Sequence, residues 1–554
     1  MSTQIERETD GDWWRGAVVY QIYPRSFMDA DGDGLGDLAG IAARLDHVAD
    51  LGVDAIWIAP FFPSPMRDFG YDVSDMCGVD PRFGTLADFD RVVERAHALG
   101  LKVLIDQILC HTSDAHPWFL ESRASRDNPR ADWYVWADAR PDGGPPNNWL
   151  SLFGGIAWTW SPERRQYYLH KFLPEQPSLN LFHPQVQAAV CDVSRFWLDR
   201  GVDGFRLDSV NFFHHDPQLR DNPARPDAEL RALLARPKGD DGIPRANPYN
   251  MQIHENDKTR PETVDFLRAY RAAIGDRPSV ATMAEIAADG SHALLELYTT
   301  GEDRLHMGYT FELLSAPFER TTLRALLDDA AKTVRGGWPC WAFSNHDVVR
   351  AQSRWGAQGR DPAFARMLVA LLTSLRGSSC LYQGEELGLP EAEIAFADLQ
   401  DPYGRRFWPS YKGRDGARTP MPWEARAPHA GFTAGTPWLP VPEEHRALAV
   451  DAQRADPTSA LAGIRRFLHW RGRHAVLRRG EMRFLEAPEG VLAFERRLGA
   501  AAMVCAFDLG GEGGVLPGRF VAAEGHGSDN GFDSDVGESR VVLPRWGAFF
   551  GATA

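Results

Sequence analysis

The sequence predicts a (β/α)8 barrel with a small domain inserted after its third strand and an antiparallel β domain at its C-terminal end. Three observations predict it. An amphipathic helix, then Leu-Gly or Arg-Gly, then an apolar strand recurs at Leu51-Gly52, Leu99-Gly100 and Arg200-Gly201. Strand candidates alternating with helices number eight, which is the number that closes a parallel barrel. The regular spacing breaks between the third strand and the fourth, where a segment rich in Trp, Pro, Asp and Asn intervenes.

The strands are expected at Ala17–Tyr23, Val53–Ala59, Leu101–Asp106, Val202–Asp208, Ser279–Glu285, Met307–Leu313, Cys340–Asn345 and Ser378–Tyr382. Before three of them run the helices Leu38–Leu51, Leu86–Leu99 and Pro184–Arg200, whose apolar residues recur at helical spacing and whose following Gly suits a left-handed C′ position. A helix over Pro261–Ile274 starts on a Pro suited to a first turn. The barrel is thus split into 1–106 and 178–474, around an inserted domain at 107–177. A second insertion at 209–260, rich in Pro, His, Asn and Asp, reads as an irregular lid. From about His474 the pattern changes to short alternating runs (Val491–Phe494, Ala501–Phe507, Val541–Leu543) between Gly-rich turns, so 475–554 is a small β domain.

At 554 residues the chain exceeds one ordinary core. Its 44% hydrophobic and 25% charged content is that of a soluble globular protein. Met367–Leu375, the longest apolar stretch, is too short to span a bilayer and reads as a buried helix. The acidic stretch Met1–Asp12 has no apolar region of a secretory signal. A net charge of −16 argues against nucleic acid and anionic membranes as partners. Cys77, Cys110, Cys191, Cys340, Cys380 and Cys505 lack CxxC spacing, so reduced thiols in a cytoplasmic protein are expected. Eighteen tryptophans serve packing or sugar stacking, which composition does not separate.

Barrels draw catalytic residues from the C-terminal ends of their strands. Those ends carry Asp106 and His111, Arg206 and Asp208, Glu285, and His346-Asp347. Arg206 and Asp208 share a face because strand side chains repeat every two residues, and a cation so close favours the ionised carboxylate. Acids gathered on one rim suit acid-catalysed cleavage with an ionic second partner, the chemistry of glycoside hydrolysis. Separately, Asp29-x-Asp31-x-Asp33-Gly34-Leu35-Gly36-Asp37 follows the spacing of a calcium loop, although Gly40 at position twelve excludes an EF-hand.

From about Trp14 to its end the chain resembles the α-glucosidases of the α-amylase superfamily, glycoside hydrolase family 13. The ordered set carries the likeness: Asp106…His111, Gly204-Phe205-Arg206-Leu207-Asp208, Glu285 and Asn345-His346-Asp347, with Gln176-Pro177-Ser178-Leu179-Asn180 ending the inserted domain. Gly413-Arg414-Asp415-Gly416 and Arg418-Thr419-Pro420-Met421-Pro422-Trp423 resemble the α-glucosidase branch specifically. The resemblance implies Asp208 as nucleophile, Glu285 as general acid/base and Asp347 as a ligand of sugar hydroxyls. His111 and His346 would be further ligands of sugar hydroxyls, and Arg206 would keep Asp208 ionised. Tyr71 and Asp72 would bind the terminal sugar, with Arg418 as the partner of Asp72 and Phe172 as pocket wall. Asp29, Asp31, Asp33, Asp37 and the Leu35 carbonyl would bind a structural Ca2+ or Mg2+.

The activity so implied is a retaining, exo-acting α-glucosidase on maltose-like disaccharides and aryl or alkyl α-glucosides, with transglucosylation, in a monomer or homodimer. Alternatives sharing this apparatus are an oligo-1,6-glucosidase, a trehalose synthase, a sucrose isomerase or an α-glucosyl transferase. A remote one is the non-catalytic domain of amino-acid transporter heavy chains. Two departures from the pattern are Cys110, where many relatives have Asn, and Ser178, where the oligo-1,6 type has Asp. Ser209, after the nucleophile, stands where α-1,6-preferring relatives tend to have Val, which implies a lean to α-1,4 linkages.

Overall fold

The computed structural model describes residues 10–235, 243–275, 277, 279–288, 290–356, 361–527 and 532–554. The acidic N-terminal stretch up to residue 9 and part of the 209–260 insertion lie outside the described residues.

Eight parallel strands form one sheet: β1 (Val18–Ile22), β2 (Ala55–Ile58), β3 (Lys102–Gln107), β4 (Gly204–Leu207), β5 (Ala281–Ile286), β6 (Met307–Thr310), β7 (Cys340–Ala342) and β8 (Ser378–Tyr382). Neighbours in sequence are neighbours in space, β8 pairs with β1, and a bridge between Gly308 and Pro339 joins β6 to β7 and closes the barrel. Gly52, Gly100 and Gly201, the three glycines of the repeat, all take left-handed backbone (φ 84°, 78° and 89°), so each helix stops where the next strand begins.

Alternation along the strands decides what meets inside. Val19, Ala55, Trp57, Leu104, Ala281, Met283, Met307, Tyr309, Cys340, Ala342 and Cys380 fill the barrel, while the opposite faces pack against helices. Continued toward the C-terminal ends of the strands, the inward positions become Gln21, Asp106, Arg206 and Glu285, all buried.

The inserted domain is a helix (Pro117–Ala124) and a three-stranded antiparallel sheet of Trp136–Ala137, Gln166–Leu169 and Trp158–Ser161. Bridges from His111 to Ser178 and from Tyr134 to Leu179 tie its two ends together. The 209–260 segment is not wholly irregular: it contains a helix over Asp227–Ala235 and short 3-10 turns at Val210–Phe212 and Pro248–Met251.

Three expected boundaries shift. β6 ends at Thr310, and Glu312–Ser315 is a helical turn. β7 ends at Ala342, because Asn345 and His346 leave the ladder to build the site. After His474 comes one more helix, Ala475–Arg479, which buries Val476 and Leu477; the β domain starts at Glu481. It comprises a five-stranded and a three-stranded antiparallel sheet. Among the described residues no helix is long and apolar enough to cross a membrane.

Candidate active site

Arg206 organises the floor. It pairs in register with Asp106 on β3, and Glu285 pairs with Tyr309 on β6. From this position Arg206 Nη1 donates to Asp106 Oδ1 (2.7 Å) and Asp208 Oδ1 (2.6 Å). Its Nη2 donates to Glu285 Oε1 and to the Tyr309 hydroxyl (2.8 Å). The guanidinium lies over the Trp57 ring, 5.0 Å from its centre, and Trp57 Nε1 donates to Asp106 Oδ2 (2.9 Å).

One cation therefore serves three carboxylates. Burial pushes the Asp106 carboxyl up to about 6 against the pull of Arg206. Burial also pushes Asp208 up, Arg206 opposes it, and Glu285 and Asp106 add to the rise. Arg206, expected to keep Asp208 ionised, divides its charge among Asp106, Asp208 and Glu285.

Donors converge unequally. Glu285 Oε1 accepts from Arg206 and the Tyr309 hydroxyl (2.7 Å). Its Oε2 accepts from the Ser209 backbone N–H (2.9 Å) and hydroxyl (3.2 Å). Ser209 reaches it because its backbone is left-handed (φ 46°), turning the chain sharply after Asp208. So Ser209, singled out for linkage choice, bonds the acid/base candidate.

Above the cluster His346 lies between two tyrosine rings, Tyr71 (5.4 Å, 2° between planes) and Tyr23 (5.6 Å, 16°). Its Nε2 is 2.9 Å from the Tyr71 hydroxyl and its Nδ1 is 2.8 Å from Gln21 Nε2. His111 Nε2 is 3.0 Å from the Tyr71 carbonyl oxygen. Burial pushes His346 down to about 3 and His111 to about 4, so both are neutral imidazoles at pH 7. Asp347 accepts from Arg418 (2.8 Å) and Arg414 (3.2 Å). Burial alone would raise its carboxyl; His346 and the two guanidiniums outweigh it and hold it well below the usual range. Phe172, expected as pocket wall, packs on His111 (5.3 Å) and Phe212 (5.1 Å).

Two assignments are corrected. Arg418 bonds Asp347 and the His346 carbonyl (2.7 Å), not Asp72. Asp72 is fully buried and already occupied by the Ser64 hydroxyl and the N–H groups of Arg67 (2.8 Å) and Asp68 (3.0 Å), so it organises its own loop. Asp68 takes the place expected for it: Arg414 donates to it at 2.9 Å and Gln176 at 3.2 Å. Left-handed backbone at Phe69 (φ 49°) and Gly70 (φ 108°) reverses the chain and swings Asp68 round to Tyr71. Burial, opposed by Arg414, pushes Asp68 up to about 6. Arg414 also donates to Asp401 (2.8 Å). Asp68, Arg414, Asp401, Tyr309 and Trp57 are thus members of the cluster that the sequence reading left out; Arg414 stood inside a motif already singled out.

Three segments meet at the rim. Leu152 of the inserted domain accepts, at its carbonyl, from Asn247 Nδ2 (2.7 Å) in the second insertion and from the Tyr403 hydroxyl (3.2 Å) in the segment after β8. On the other side, Asp29, Asp31 and Asp37 bring carboxylate oxygens within 4.8 Å of one another. Asp33 stands outside that set and caps the Leu35 N–H (2.8 Å).

Residues 21–480 match the model of the alpha amylase catalytic domain. A Rhizobium meliloti protein named "Probable alpha-glucosidase" is 54% identical, over 99% of this chain and 98% of its own. The oligo-1,6-glucosidase of Parageobacillus thermoglucosidasius is 35% identical over 89% of each chain. The crystal structure of the alpha-glucosyl transfer enzyme XgtA superposes with a TM-score of 0.93 at 53% identity, covering 98% of this chain and 99% of its own. With strand-end acids, paired arginines and neutral histidines on one barrel rim, and relatives matched over nearly their whole length, the chain belongs to the α-amylase family of glycoside hydrolases and is an enzyme of that family.

Proposed function

We propose that the protein is a retaining α-glucosidase that releases α-glucose from the non-reducing end of short α-1,4-linked substrates. A carboxylate oxygen of Asp208 attacks the anomeric carbon. The glycosidic bond breaks, its electron pair stays on the leaving oxygen, and Glu285 gives that oxygen a proton. The resulting β-glucosyl ester is attacked by water, whose proton returns to Glu285, and α-glucose leaves. The observation that carries this reading is the sharing of Arg206 by Asp208 and Glu285 on neighbouring strands. Asp347, held ionised by Arg414 and Arg418, and Asp68 bind hydroxyls of the terminal sugar, with His111 and His346 as uncharged hydrogen-bonding groups beside them. The contacts of Leu152, Asn247 and Tyr403 support a pocket closed to long chains. A maltose-to-starch rate ratio far above one is expected, and a ratio near one contradicts exo action on small substrates.

A second reading, transfer of the glucosyl group to an acceptor other than water, is favoured by the 53% identity to an alpha-glucosyl transfer enzyme. Product analysis with maltose alone and with an added alcohol separates the two. We further propose that Asp29, Asp31 and Asp37, hard oxygen donors in one small loop, hold a structural Ca2+ or Mg2+. A chelator should then lower the melting temperature, and the restored ion should recover it. Six free cysteines support a cytoplasmic location.

A further inference from the structure

Lys171 is buried beside the active site, and the mechanism above does not use it. It follows the inserted-domain strand Gln166–Leu169 and donates its ammonium to the carbonyl oxygens of Phe212 and of His214 (3.2 Å). Among the described residues no carboxylate lies within ion-pair distance of it. Burying an ammonium against carbonyls alone is costly, and an apolar side chain would fill the space at less expense. The cost is met where the geometry it fixes matters.

Both carbonyls belong to the turn that starts at Ser209. At the head of this turn the Ser209 N–H and hydroxyl meet Glu285 Oε2. At its foot Phe212 packs on Phe172, the neighbour of Lys171, and Phe172 packs on His111. One side chain of the inserted domain therefore grips the backbone that aims two donors at the acid/base carboxyl. We propose that Lys171 is a positioning residue, whose amine clamps the Ser209–His214 turn so that Ser209 keeps its two donors on Glu285. This rests on the role proposed for Glu285.

Burial draws the Lys171 ammonium down to about 8; Asp257 and Cys110 oppose the fall and Lys258 adds to it. His214 and His215 also face it, each pushed down chiefly by burial and further by Lys171 itself, and so uncharged at neutral pH. A lysine lowered by folding binds fewer protons folded than unfolded between about pH 8 and its ordinary range. This group's contribution to stability therefore rises with pH over that window while its grip weakens. Above pH 8, the contributions of Lys171 to activity and to stability move in opposite directions.

The test measures kcat and KM for maltose from about pH 6 to about pH 10 in wild type, Lys171→Met, Lys171→Arg and Glu285→Gln, with melting temperatures alongside. Losing a charged donor should lower kcat of Lys171→Met about tenfold at pH 7, with KM within about twofold and the basic limb near pH 8 gone. Lys171→Arg, charged throughout, should recover most of kcat and move the limb upward. Where Arg does not fold, Lys171→Gln, an uncharged donor, should give an intermediate kcat without the limb. A folded Lys171→Met with wild-type kcat, or one that keeps the limb, overturns the clamp. If Glu285→Gln is inactive in that case, the role of Glu285 stands and only the clamp fails; an active Glu285→Gln overturns the role beneath it.

Discussion

Asp106 and Arg206 are register partners on neighbouring strands, and the Arg206 guanidinium reaches Asp106 at 2.7 Å and Asp208 at 2.6 Å from the same nitrogen. The period-two alternation of β4 puts Asp208 on the side where Arg206 already points, and Asp106 closes the triangle from β3. One buried cation holds three buried acids together, and the reaction needs one carboxylate charged and another protonated.

Arg206→Lys should lose at least about a hundredfold in kcat/KM, because a point charge cannot reach three carboxylates and the Tyr309 hydroxyl at once. Steady-state kinetics on maltose checks this. A variant within a fewfold of wild type would show that the shared fork is not needed.

Asp68 and Asp72 should separate by phenotype. Asp68→Asn and Arg414→Met should raise KM and lower kcat/KM about tenfold to a hundredfold, the worth of a charge-assisted hydrogen bond. Asp68→Asn should cost little in melting temperature, whereas Arg414→Met removes a buried cation shared by three carboxylates and should lower it. Asp72→Ala strands two backbone N–H groups and should cost about 1–3 kcal/mol of stability. Thermal unfolding and kinetics on the same samples tell the two apart. The reverse assignment would return Asp72 to the sugar.

Acid should weaken substrate binding before it unfolds the chain. Asp68 and Asp106 are both raised to about 6 by burial, so their ionised forms are lost as pH falls through 6. Because these carboxyls are raised, they favour the folded state most below the usual carboxylate range, and that contribution is gone above about pH 6. A kcat/KM profile should therefore bend near pH 6 while the melting temperature does not drop there. In Arg414→Met the bend belonging to Asp68 should move up, since the guanidinium that opposes its rise is absent; an unmoved bend would assign it to Asp106.

Maltose should be hydrolysed faster than isomaltose. Ser209→Val is expected to narrow that preference by up to about tenfold, since one pocket contact is worth roughly 1–3 kcal/mol. It should also slow both substrates, because Val lacks the hydroxyl that meets Glu285 and a β-branched residue is strained at φ 46°. An isomaltose-preferring wild type would place linkage choice elsewhere.

What was legible in the sequence follows from periodicity. Helix, left-handed Gly and strand leave a mark at Gly52, Gly100 and Gly201, and the inward line ending at Asp106, Arg206 and Glu285 follows once eight strands are counted. What stayed hidden depends on loops. The reversal at Phe69-Gly70, which exchanges Asp72 for Asp68, needs left-handed backbone at a phenylalanine, and no residue pattern announces it. Arg418 lies four residues past Arg414, and only the path of the segment after β8 decides which arginine meets Asp68. Strand ends also blurred: Asn345 and His346 continue the polar and apolar pattern of β7 but leave its ladder after Ala342.

The central claim, that Asp208 carries the sugar as an ester, is tested most directly by trapping it. A 5-fluoro-glucosyl fluoride slows hydrolysis of the ester more than its formation, so the intermediate accumulates, and peptide mapping by mass spectrometry locates the sugar. The account predicts one glucosyl adduct on the peptide bearing Asp208, absent in Asp208→Asn. An adduct on Asp106 or Glu285 instead would contradict it.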